Sequence, residues 1–210
     1  MPSTKTAYHH GDLHRALLSG ALELLAEGGT DALTMRAVAE RVGVSSAAPY
    51  RHFTDKRDML AALAEEGFAD LERACAEACA AAPNDTAPND TVAAFARQGE
   101  AYVRFAIAHP ARYRVMFGPE IPDKRAYAAL HRSSMAAYDA LRSALRACAA
   151  AGLFEAEEIE IRAMRSWSLV HGMASLFIDG QLNVDDVIGR EMFLGRVGAV
   201  LRLEGLHREK

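Results

Sequence analysis

Apolar residues recur at helical spacing through most of the chain, and the pattern is clearest just after residue 33. Positions i, i+3, i+4 and i+7 of one short segment are occupied by Met35, Val38, Ala39 and Val42. This spacing places all four on one face of a short helix. Thr34 precedes the face, where its hydroxyl can cap the first free amide groups, and Gly43 follows it, where a positive φ can end the helix.

A second short helix is predicted from Ser46 to Phe53, with Ser45 as its capping residue. Two short helices joined by a turn that contains glycine form a helix-turn-helix, whose second helix can enter the major groove of DNA. Pro49 departs from the pattern because it has no amide hydrogen and crowds the carbonyl of Ser45. We therefore expect a tightened or bent start to this second helix.

The rest of the pattern predicts an all-α fold of about nine helices, because no run of alternating β-branched residues indicates a strand. The first helix runs from about Asp12 to Glu27 and is ended by Gly28 and Gly29. The fourth begins at Asp55, a candidate cap, and continues to about residue 82. Further helices are expected at roughly 92–109, 110–117, 124–151, 155–179 and 186–203.

The segment after the fourth helix contains the pentapeptide Ala-Pro-Asn-Asp-Thr twice, at 82–86 and at 87–91. Proline, asparagine and aspartate favour turns, and a surface loop tolerates insertions because its closure entropy grows slowly with length. We expect a small tandem duplication that lengthens an exposed loop.

Composition limits the class of protein. Hydrophobic residues make up 50% of the 210 residues, which is enough for real cores in one small and one larger domain. The longest apolar stretch without a formal charge, 166–178, is too short to cross a bilayer. No apolar N-terminal segment is typical of a signal peptide. A cytoplasmic protein with no membrane partner is therefore expected.

The net charge of −4 argues at first against a nucleic-acid partner, but its distribution changes the picture. Within 34–57, two acidic residues stand against five basic ones: Arg36, Arg41, Arg51, Lys56 and Arg57. Phosphates meet a local basic patch rather than the total charge. The helix-turn-helix segment is therefore a candidate DNA-binding surface.

A further set of residues lies in and after the predicted turn: Val44, Ser45, Tyr50, Phe53 and Lys56. This set resembles the DNA-binding domain of the tetracycline-repressor (TetR) family of one-component regulators, and the similarity extends from about residue 8 to about residue 71.

A second similarity lies in the C-terminal half. Trp167, with the adjacent pair His171 and Gly172, resembles the Trp-His-Gly effector domain found in one branch of the same family. The two similarities occur in the family order. Together they imply an N-terminal arm at 1–11, a helix-turn-helix domain at 12–71, and an effector-binding and dimerisation domain at 72–210.

The resemblance implies a sequence-specific DNA-binding regulator, most simply a repressor that a small-molecule effector releases from a palindromic operator. It implies a homodimer without catalytic activity, without a cofactor and without a bound metal. Regulation would be a population shift, in which the effector favours a state with lower operator affinity.

The DNA-contacting residues follow from position and from the resemblance. Residues at the N-terminal end of the recognition helix can contact base edges, through hydroxyl groups or through contact of a methyl group with thymine. These residues are Ser45, Ser46 and Ala47. The resemblance implies phosphate contacts from Tyr50, His52 and Lys56, and backbone contacts from Thr34 and Arg36. The first amide groups after Asp55 can also attract a phosphate.

The middle helices carry aromatic, sulfur-containing and polar residues that can line an apolar pocket with few polar anchors. The candidate pocket residues are Tyr102, Phe105, Tyr113, Met116, Phe117, Met164, Trp167 and His171. An ordinary hydrophobic core is the alternative for each of them. The spacing of Trp167 and His171 by four residues already allows the two rings to pack on each other.

The last two helices are candidates for a two-fold dimer interface. The segment 169–178 is apolar on nearly every side, so it needs burial on more than one face, and small residues permit close approach of a second helix. The candidate interface residues are Gly172, Ser175, Leu176, Phe193, Val197, Val200 and Leu201.

Three alternatives remain open at this stage. One is a small all-α enzyme that uses His171 with Glu100 or Asp179, although no nucleophile elbow, metal triad or phosphate loop supports it. Another is a redox or soft-metal sensor at Cys75 and Cys79, which are one helical turn apart and too distant for an unstrained disulfide. The third is a helical adaptor whose helix-turn-helix is vestigial.

The cysteines and the N-terminal histidines have simpler roles than sensing or metal binding. Cys148 makes the cysteine total odd, as expected where disulfides are not structural, and buried small apolar residues are the simpler role for all three thiols. His9, His10 and His14 cluster near the N-terminus, where polar residues of an arm near DNA are a simpler role than metal ligands.

Overall fold

The computed structural model describes residues 10–80, 88–182 and 187–206. Every regular element in these ranges is helical, which confirms the all-α prediction. The α-helices are α1 His10–Ala32, α2 Met35–Val42, α3 Lys56–Ala80, α4 Pro88–Ala108, α5 Pro110–Phe117, α6 Ala128–Ala150, α7 Ile159–Ile178 and α8 Val187–Leu206. Short 3-10 helices occur at Pro49–Arg51, Lys124–Ala126 and Ala156–Glu158. Most of the predicted N-terminal arm, including His9, lies outside the described residues.

The described residues form two compact units. The first contains the described residues up to Gly67 together with Ala111–Leu130, and the second contains the described residues of 68–110 together with those from His131 onward. Helix α3 contributes its first turns to one unit and its remaining turns to the other. None of the helices described is long and apolar enough to cross a membrane.

The core of the first unit forms where α1 packs against α2. Helix α1 buries one apolar face, which consists of Leu17, Leu18, Ala21, Leu24 and Leu25. Gly20 allows the close approach of α2, because a Cβ at this position would lie 2.9 Å from Cγ2 of Val42. The helical conformation of α1 is interrupted at Gly28 and Gly29, and the φ of Gly29 is 64°. This break is where the sequence predicts the end of the first helix.

Both predicted ends of α2 are confirmed. The Thr34 hydroxyl oxygen accepts a hydrogen bond from the Ala37 amide at 3.0 Å, which satisfies one of the free donors of the first turn. Gly43 adopts a left-handed conformation with φ 74°, and the following Val44 amide donates to the Ala39 carbonyl at 2.9 Å. A left-handed residue at this position closes the helix by satisfying its last carbonyl groups.

The start of α3 is fixed by two aspartates. The Asp58 amide donates to Asp55 Oδ1 at 2.9 Å, and the Asp58 carboxylate accepts from the Thr54 amide at 2.8 Å. The predicted capping role of Asp55 is therefore confirmed. The pair acts as a reciprocal capping box, since each carboxylate satisfies a backbone donor near the other residue.

The duplicated pentapeptide differs from the expected loop. Residues 81–87 lie outside the described part of the chain, but the second copy begins α4 at Pro88 and supplies its first turn. Proline suits the first helical position, because its fixed φ is helical and the missing N–H would have no partner in the helix there. Asp90 adds a negative charge near the positive end of the helix dipole.

Close contact between α4 and α8 organises the core of the second unit. Gly99 of α4 faces Leu201 of α8, and a Cβ at Gly99 would lie only 2.0 Å from Cδ1 of Leu201. The same Cβ would lie 3.4 Å from Cγ1 of Val170 on α7. Leu201 is 1% exposed, so its side chain is held by its surroundings. A glycine is required here because the neighbouring helices leave no room for a side chain.

We predict that Gly99→Val destabilises the protein by about 1–3 kcal/mol, because the added methyl groups overpack this contact. Urea unfolding followed by circular dichroism measures the change. Ala108→Val is the matched control, since Ala108 is exposed on the same helix and the substitution also introduces a β-branched residue. Equal stability losses in the two variants would contradict the close approach of α8 to Gly99.

Candidate nucleic-acid interface and effector region

The predicted recognition helix is not a regular α-helix. Residues 46 and 47 form a turn, residue 48 is a bend, and only Pro49–Arg51 is helical, with 3-10 geometry. Pro49 has no amide hydrogen to bond the Ser45 carbonyl, and this carbonyl instead accepts from the Ala48 amide at 2.9 Å. The prediction of a helix over 46–53 is therefore wrong in its regularity. The expectation of a tightened start at Pro49 is confirmed.

The capping residue of this segment also differs from the prediction. Ala48, not Ser45, occupies the N-cap position, and no side chain in the described residues caps the turn by a hydrogen bond. A proline in the first turn replaces a cap, because it has no amide group that needs a partner. The Ser45 hydroxyl is consequently not needed for capping at this site.

The turn exposes a polar edge, which is supported by buried apolar residues underneath. Ala48, Pro49 and Phe53 are buried, whereas the base-contacting candidates Ser45, Ser46 and Ala47 are exposed. Tyr50 is 59% exposed, which is unusual for a residue with so much apolar surface. The edge therefore projects hydroxyl groups and one aromatic ring away from the protein.

The two candidates near the start of α2 retain donors for a phosphate. The Thr34 hydroxyl oxygen serves as the helix cap, but its hydrogen can still be donated outward. Arg36 is exposed and pairs with Glu40 through Nε at 2.8 Å, and this hydrogen bond raises the pKa of the guanidinium. The Arg36 pair is a weak surface contact, so the guanidinium can exchange it for a phosphate.

Lys56 and His52 make contacts within the domain that the sequence did not predict. The Lys56 ammonium donates to the Thr30 carbonyl, just after the break in α1. The His52 ring lies 5.8 Å from the His14 ring, and His14 lies 4.9 Å from Phe53. His14 therefore packs against the helix-turn-helix. An ammonium has three donors, so the contact to Thr30 leaves two for a phosphate.

The basic patch is smaller than the sequence count suggests. Arg41 pairs with Glu27 at 2.6 Å and with Glu23 at 3.1 Å, both on α1, and these hydrogen bonds raise its pKa. Its charge is compensated inside the domain and fastens α2 to α1. Arg51 and Arg57 are exposed, so they present positive charge to the solvent beside the turn.

The predicted effector residues fall in both units. Tyr113, Met116 and Phe117 belong to α5 in the first unit, where Tyr113 and Met116 are buried and the Tyr113 and Phe117 rings lie 4.8 Å apart. A Cβ at Gly67 would lie 2.6 Å from Sδ of Met116, so Met116 packs tightly against α3. These contacts are typical of a core.

The other effector candidates lie in the second unit, where two of them form a polar pair. The Tyr102 hydroxyl and His171 Nδ1 are 3.0 Å apart, and they connect α4 to α7. Burial lowers the pKa of His171, which favours its neutral form. The Trp167 ring packs on His171 at 5.8 Å, as the spacing predicts. Phe105 is buried, whereas Met164 is exposed.

The predicted dimer-interface residues divide into two groups. Phe193, Val197 and Leu201 are buried inside the chain itself, so they serve its own core rather than a partner. The prediction for this stripe on α8 is wrong because a sequence pattern does not identify which neighbour covers an apolar face. The remaining candidates are exposed or half-buried: Gly172, Ser175, Leu176 and Val200.

The same two helices carry an exposed apolar face, and Leu176 is the only one of its large residues that the sequence predicted for an interface. Ile161 and Met164 lie on α7 at i and i+3 and are 53% and 58% exposed, and Leu176 extends this side of the helix. On α8, Met192 is 56% exposed, on the side opposite the buried stripe. The three-residue spacing of Ile161 and Met164 is visible in the sequence. It does not indicate an exposed face, because the following part of the helix is apolar on nearly every side.

The cysteines are poorly suited to sensing. Burial raises the pKa of Cys75 to about 12 and that of Cys148 to about 11, so both remain thiols at neutral pH. The Cys75 thiol donates to the Gln98 carbonyl, with sulfur and oxygen 3.6 Å apart. No group of three or more potential metal ligands occurs among the described residues. The sensor alternative is not favoured.

Gln98 is a buried polar residue that the sequence analysis did not single out. Its side chain is 7% exposed, and Oε1 has no hydrogen-bond partner in the described part of the chain. Nothing in the sequence marks it, because a glutamine on an amphipathic helix is usually solvated.

Comparison with known families accounts for both halves of the chain. A family model described as bacterial regulatory proteins, tetR family, matches residues 17–63. A model described as tetracyclin repressor-like, C-terminal domain, matches residues 92–194, which include Trp167 and His171. The two matches cover most of the chain and lie in family order.

Individual relatives are similar over shorter stretches. The chain is 50% identical over 54 residues to the class A tetracycline repressor from transposon 1721 of Escherichia coli, covering 26% of this chain and 25% of that protein. It is 31% identical over 101 residues to the HTH-type transcriptional regulator Mb1846 of Mycobacterium bovis, covering 47% and 40%. The chain thus spans less than half the length of these curated relatives.

Solved structures match over nearly the whole chain. A protein of unknown function from Rhodococcus sp. RHA1 has a TM-score of 0.80 and 30% identity, with 97% of this chain and 100% of that one covered. PfmR, a TetR family transcriptional regulator from Thermus thermophilus, has a TM-score of 0.67 and 22% identity, covering 91% and 99%, and supports the fold. With a helix-turn-helix domain and a C-terminal domain that both match, the chain belongs to the tetR family of bacterial regulatory proteins.

Proposed function

We propose that this regulator is a repressor that binds a palindromic DNA operator as a homodimer and is released by a small-molecule effector. The observation that carries the proposal is an exposed edge beside exposed cations, supported from below by buried Ala48, Pro49 and Phe53. The edge consists of Ser45, Ser46, Ala47 and Tyr50. Regulators of this family bind DNA, respond to an effector and act as dimers. Hydroxyl groups beside cations suit base edges next to phosphates.

Within this proposal, Ser45, Ser46 and Ala47 contact bases, and the groups around them position the duplex. Tyr50 and Lys56 contact phosphates on one side of the turn. From the start of α2, Thr34 and Arg36 contact the DNA backbone. The His52 ring packs near His14 and contacts the DNA backbone beside the turn. The capping box leaves the α3 amides of Lys56 and Arg57 for a phosphate.

We infer a homodimer interface on the exposed sides of α7 and α8. Its apolar part on α7 consists of Ile161, Met164 and Leu176, and Met192 adds to it from α8. The small residues Gly172 and Ser175 permit close approach of the partner. Val200 lies at its edge. Large exposed apolar residues grouped on neighbouring helices are typical of interaction surfaces. A two-fold axis there would set the spacing between the two DNA-binding domains.

We further infer an effector site in the second unit, at Tyr102 and His171, and we assign the chain to the Trp-His-Gly branch. The Trp167–His171 contact and the Tyr102 hydrogen bond support a site with few polar anchors. Helix α3 contributes residues to both units, so it is the element through which effector binding would shift the DNA-binding state.

The enzyme alternative has little support. The partner of His171 Nδ1 is a tyrosine hydroxyl, and family members are typically not enzymes. A mobility-shift assay of the purified chain with the DNA upstream of its own gene tests the proposal. We expect a salt-sensitive, sequence-selective complex. If competitor DNA of unrelated sequence displaces the upstream DNA equally well, the proposal of sequence-specific binding is contradicted.

We predict that Lys56→Ala weakens binding to all DNA sequences alike and lowers the slope of log affinity against log salt by about one per protomer. The physical reason is the loss of one phosphate contact and its released counterion. Fluorescence anisotropy at several salt concentrations measures both quantities. Arg73→Ala is the control, because it removes the same charge from the exposed middle of α3. Equal slopes for Lys56→Ala and the unmodified chain would exclude the phosphate contact.

A second prediction concerns assembly. Leu176→Arg should convert the dimer to a monomer, because it places an unpaired charge in the proposed interface. It should also weaken palindrome binding, since the two half-sites are no longer bound by linked domains. Sedimentation velocity measures the mass. Met135→Arg is the control, as Met135 is also an exposed apolar residue, 45% exposed, but on α6. A Leu176→Arg dimer of full operator affinity would remove α7 from the interface.

A third prediction follows from the lowered pKa of His171. In the unfolded chain this imidazole takes up a proton near its ordinary value of about 6.5, whereas the folded state resists protonation until lower pH. Its contribution to stability is therefore present above about pH 6.5 and is lost as the pH falls below it. Urea unfolding at pH 7.5 and 5.5 should show a smaller pH dependence for His171→Gln. An identical pH dependence in both proteins would show that His171 titrates normally.

A further inference from the structure

The buried amide of Gln98 lacks the hydrogen bond that its burial requires. The side chain is more than nine-tenths buried, and no described residue donates to Oε1. Buried polar groups are paired in the great majority of cases, because an unpaired acceptor forgoes the hydrogen bonds that water gave it. An acceptor that stays buried without a donor therefore needs an explanation, and a ligand that supplies the donor is one.

Gln98 shares one face of α4 with the polar pair described above. Tyr102 lies one helical turn after Gln98, and side chains four residues apart are neighbours on a helix surface. The Tyr102 hydroxyl reaches His171 on α7, while the Cys75 thiol of α3 bonds to the backbone carbonyl of Gln98. This face of α4 therefore presents an amide oxygen and a hydroxyl–imidazole pair between α3 and α7.

Aromatic residues lie on the same helices, next to this polar pair. Phe105 lies on the same face of α4, one turn beyond Tyr102, and is buried. Trp167 packs on His171 and also meets Tyr138 of α6 edge to face at 5.8 Å. Trp167 is itself 39% exposed, so part of its surface is not covered by the chain. Aromatic faces favour a flat apolar ligand.

The polar groups of this face carry no net charge at neutral pH. Glutamine and tyrosine are neutral, and burial lowers the pKa of His171 and so keeps it in its neutral form. A charged ligand group placed on Gln98 Oε1 would lose its hydration, and Gln98, Tyr102 and His171 would supply no opposite charge in return. An uncharged hydrogen-bond donor, by contrast, would satisfy Oε1.

We propose that the effector is an uncharged aromatic molecule with a hydroxyl or N–H donor, and that this donor binds Gln98 Oε1 beside Tyr102 and His171. This inference rests on the proposed effector-responsive function, because it names the ligand class of that site. Gln98 acts as the specificity group: it accepts a donor and disfavours both carboxylates and molecules that offer only acceptors.

The test uses four probes of one shape: 4-propylphenol, 4-propylanisole, 4-propylbenzoate and 4-propylphenyl-trimethylammonium. Titration calorimetry on the full chain measures binding, and the fluorescence of Trp167, the single tryptophan, reports the location. The phenol should bind at least about tenfold more tightly than each of the others, because only it gives Oε1 a donor without burying a charge. Binding of the anisole, benzoate or ammonium probe as tight as the phenol, or no phenol binding, overturns the proposal.

Gln98→Met separates a ligand-binding amide from a structural one. Methionine keeps the side-chain length without the amide, so the melting temperature should stay equal or rise, as an unsatisfied buried group is removed. The preference for phenol over anisole should disappear. Gln181→Met, on the exposed loop after α7, is the control and should change neither. A melting temperature several degrees lower for Gln98→Met would identify the amide as structural and overturn the proposal.

Operator binding distinguishes failure of this inference from failure of the proposed function. Both the unmodified chain and the control Gln181→Met should shift the upstream DNA in the absence of a probe. If the unmodified chain fails to bind that DNA, the regulator function is at fault. If both bind DNA and the probe preferences fail, the ligand class alone is overturned.

Discussion

The missing amide hydrogen of Pro49 is the constraint on which the candidate DNA-contacting surface depends. Because Pro49 cannot bond the Ser45 carbonyl, the segment closes as turns and a short 3-10 helix instead of a full α-helix. The ring of Pro49 and the side chain of Phe53 are buried, and they hold this short segment in place. Exposed Ser46 and Tyr50 are therefore presented by packing rather than by helix length.

Charge in the helix-turn-helix domain is divided between holding the domain together and facing outward. Arg41 is held between Glu27 and Glu23, and the Lys56 ammonium reaches the Thr30 carbonyl, so both cations fasten elements to α1. A count of basic residues in the sequence does not distinguish cations that hold the domain together from cations that face the solvent. Lys56 keeps donors that a phosphate can use, because an ammonium with one carbonyl contact still has two hydrogens.

The second unit combines close packing with an unsatisfied polar face. Gly99 brings α8 against α4 on one side, while Gln98, its neighbour in sequence, turns a buried acceptor to another side. Adjacent helical residues point about 100° apart, so one helix can serve a tight core and a polar site at once. On this polar side, the hydrogen bond between the Tyr102 hydroxyl and His171 Nδ1 joins two uncharged groups.

The sequence by itself determined the all-α class, the Thr34 and Asp55 caps and the Gly43 turn, because these depend on neighbouring residues. It also predicted the distortion at Pro49 and the packing of Trp167 on His171. Tertiary structure decided the rest: Phe193 and Leu201 are buried in the chain's own core, and Gln98 is buried with no partner for Oε1 among the residues described. A periodic pattern identifies an apolar face, but the surface that covers that face is set by residues distant in sequence.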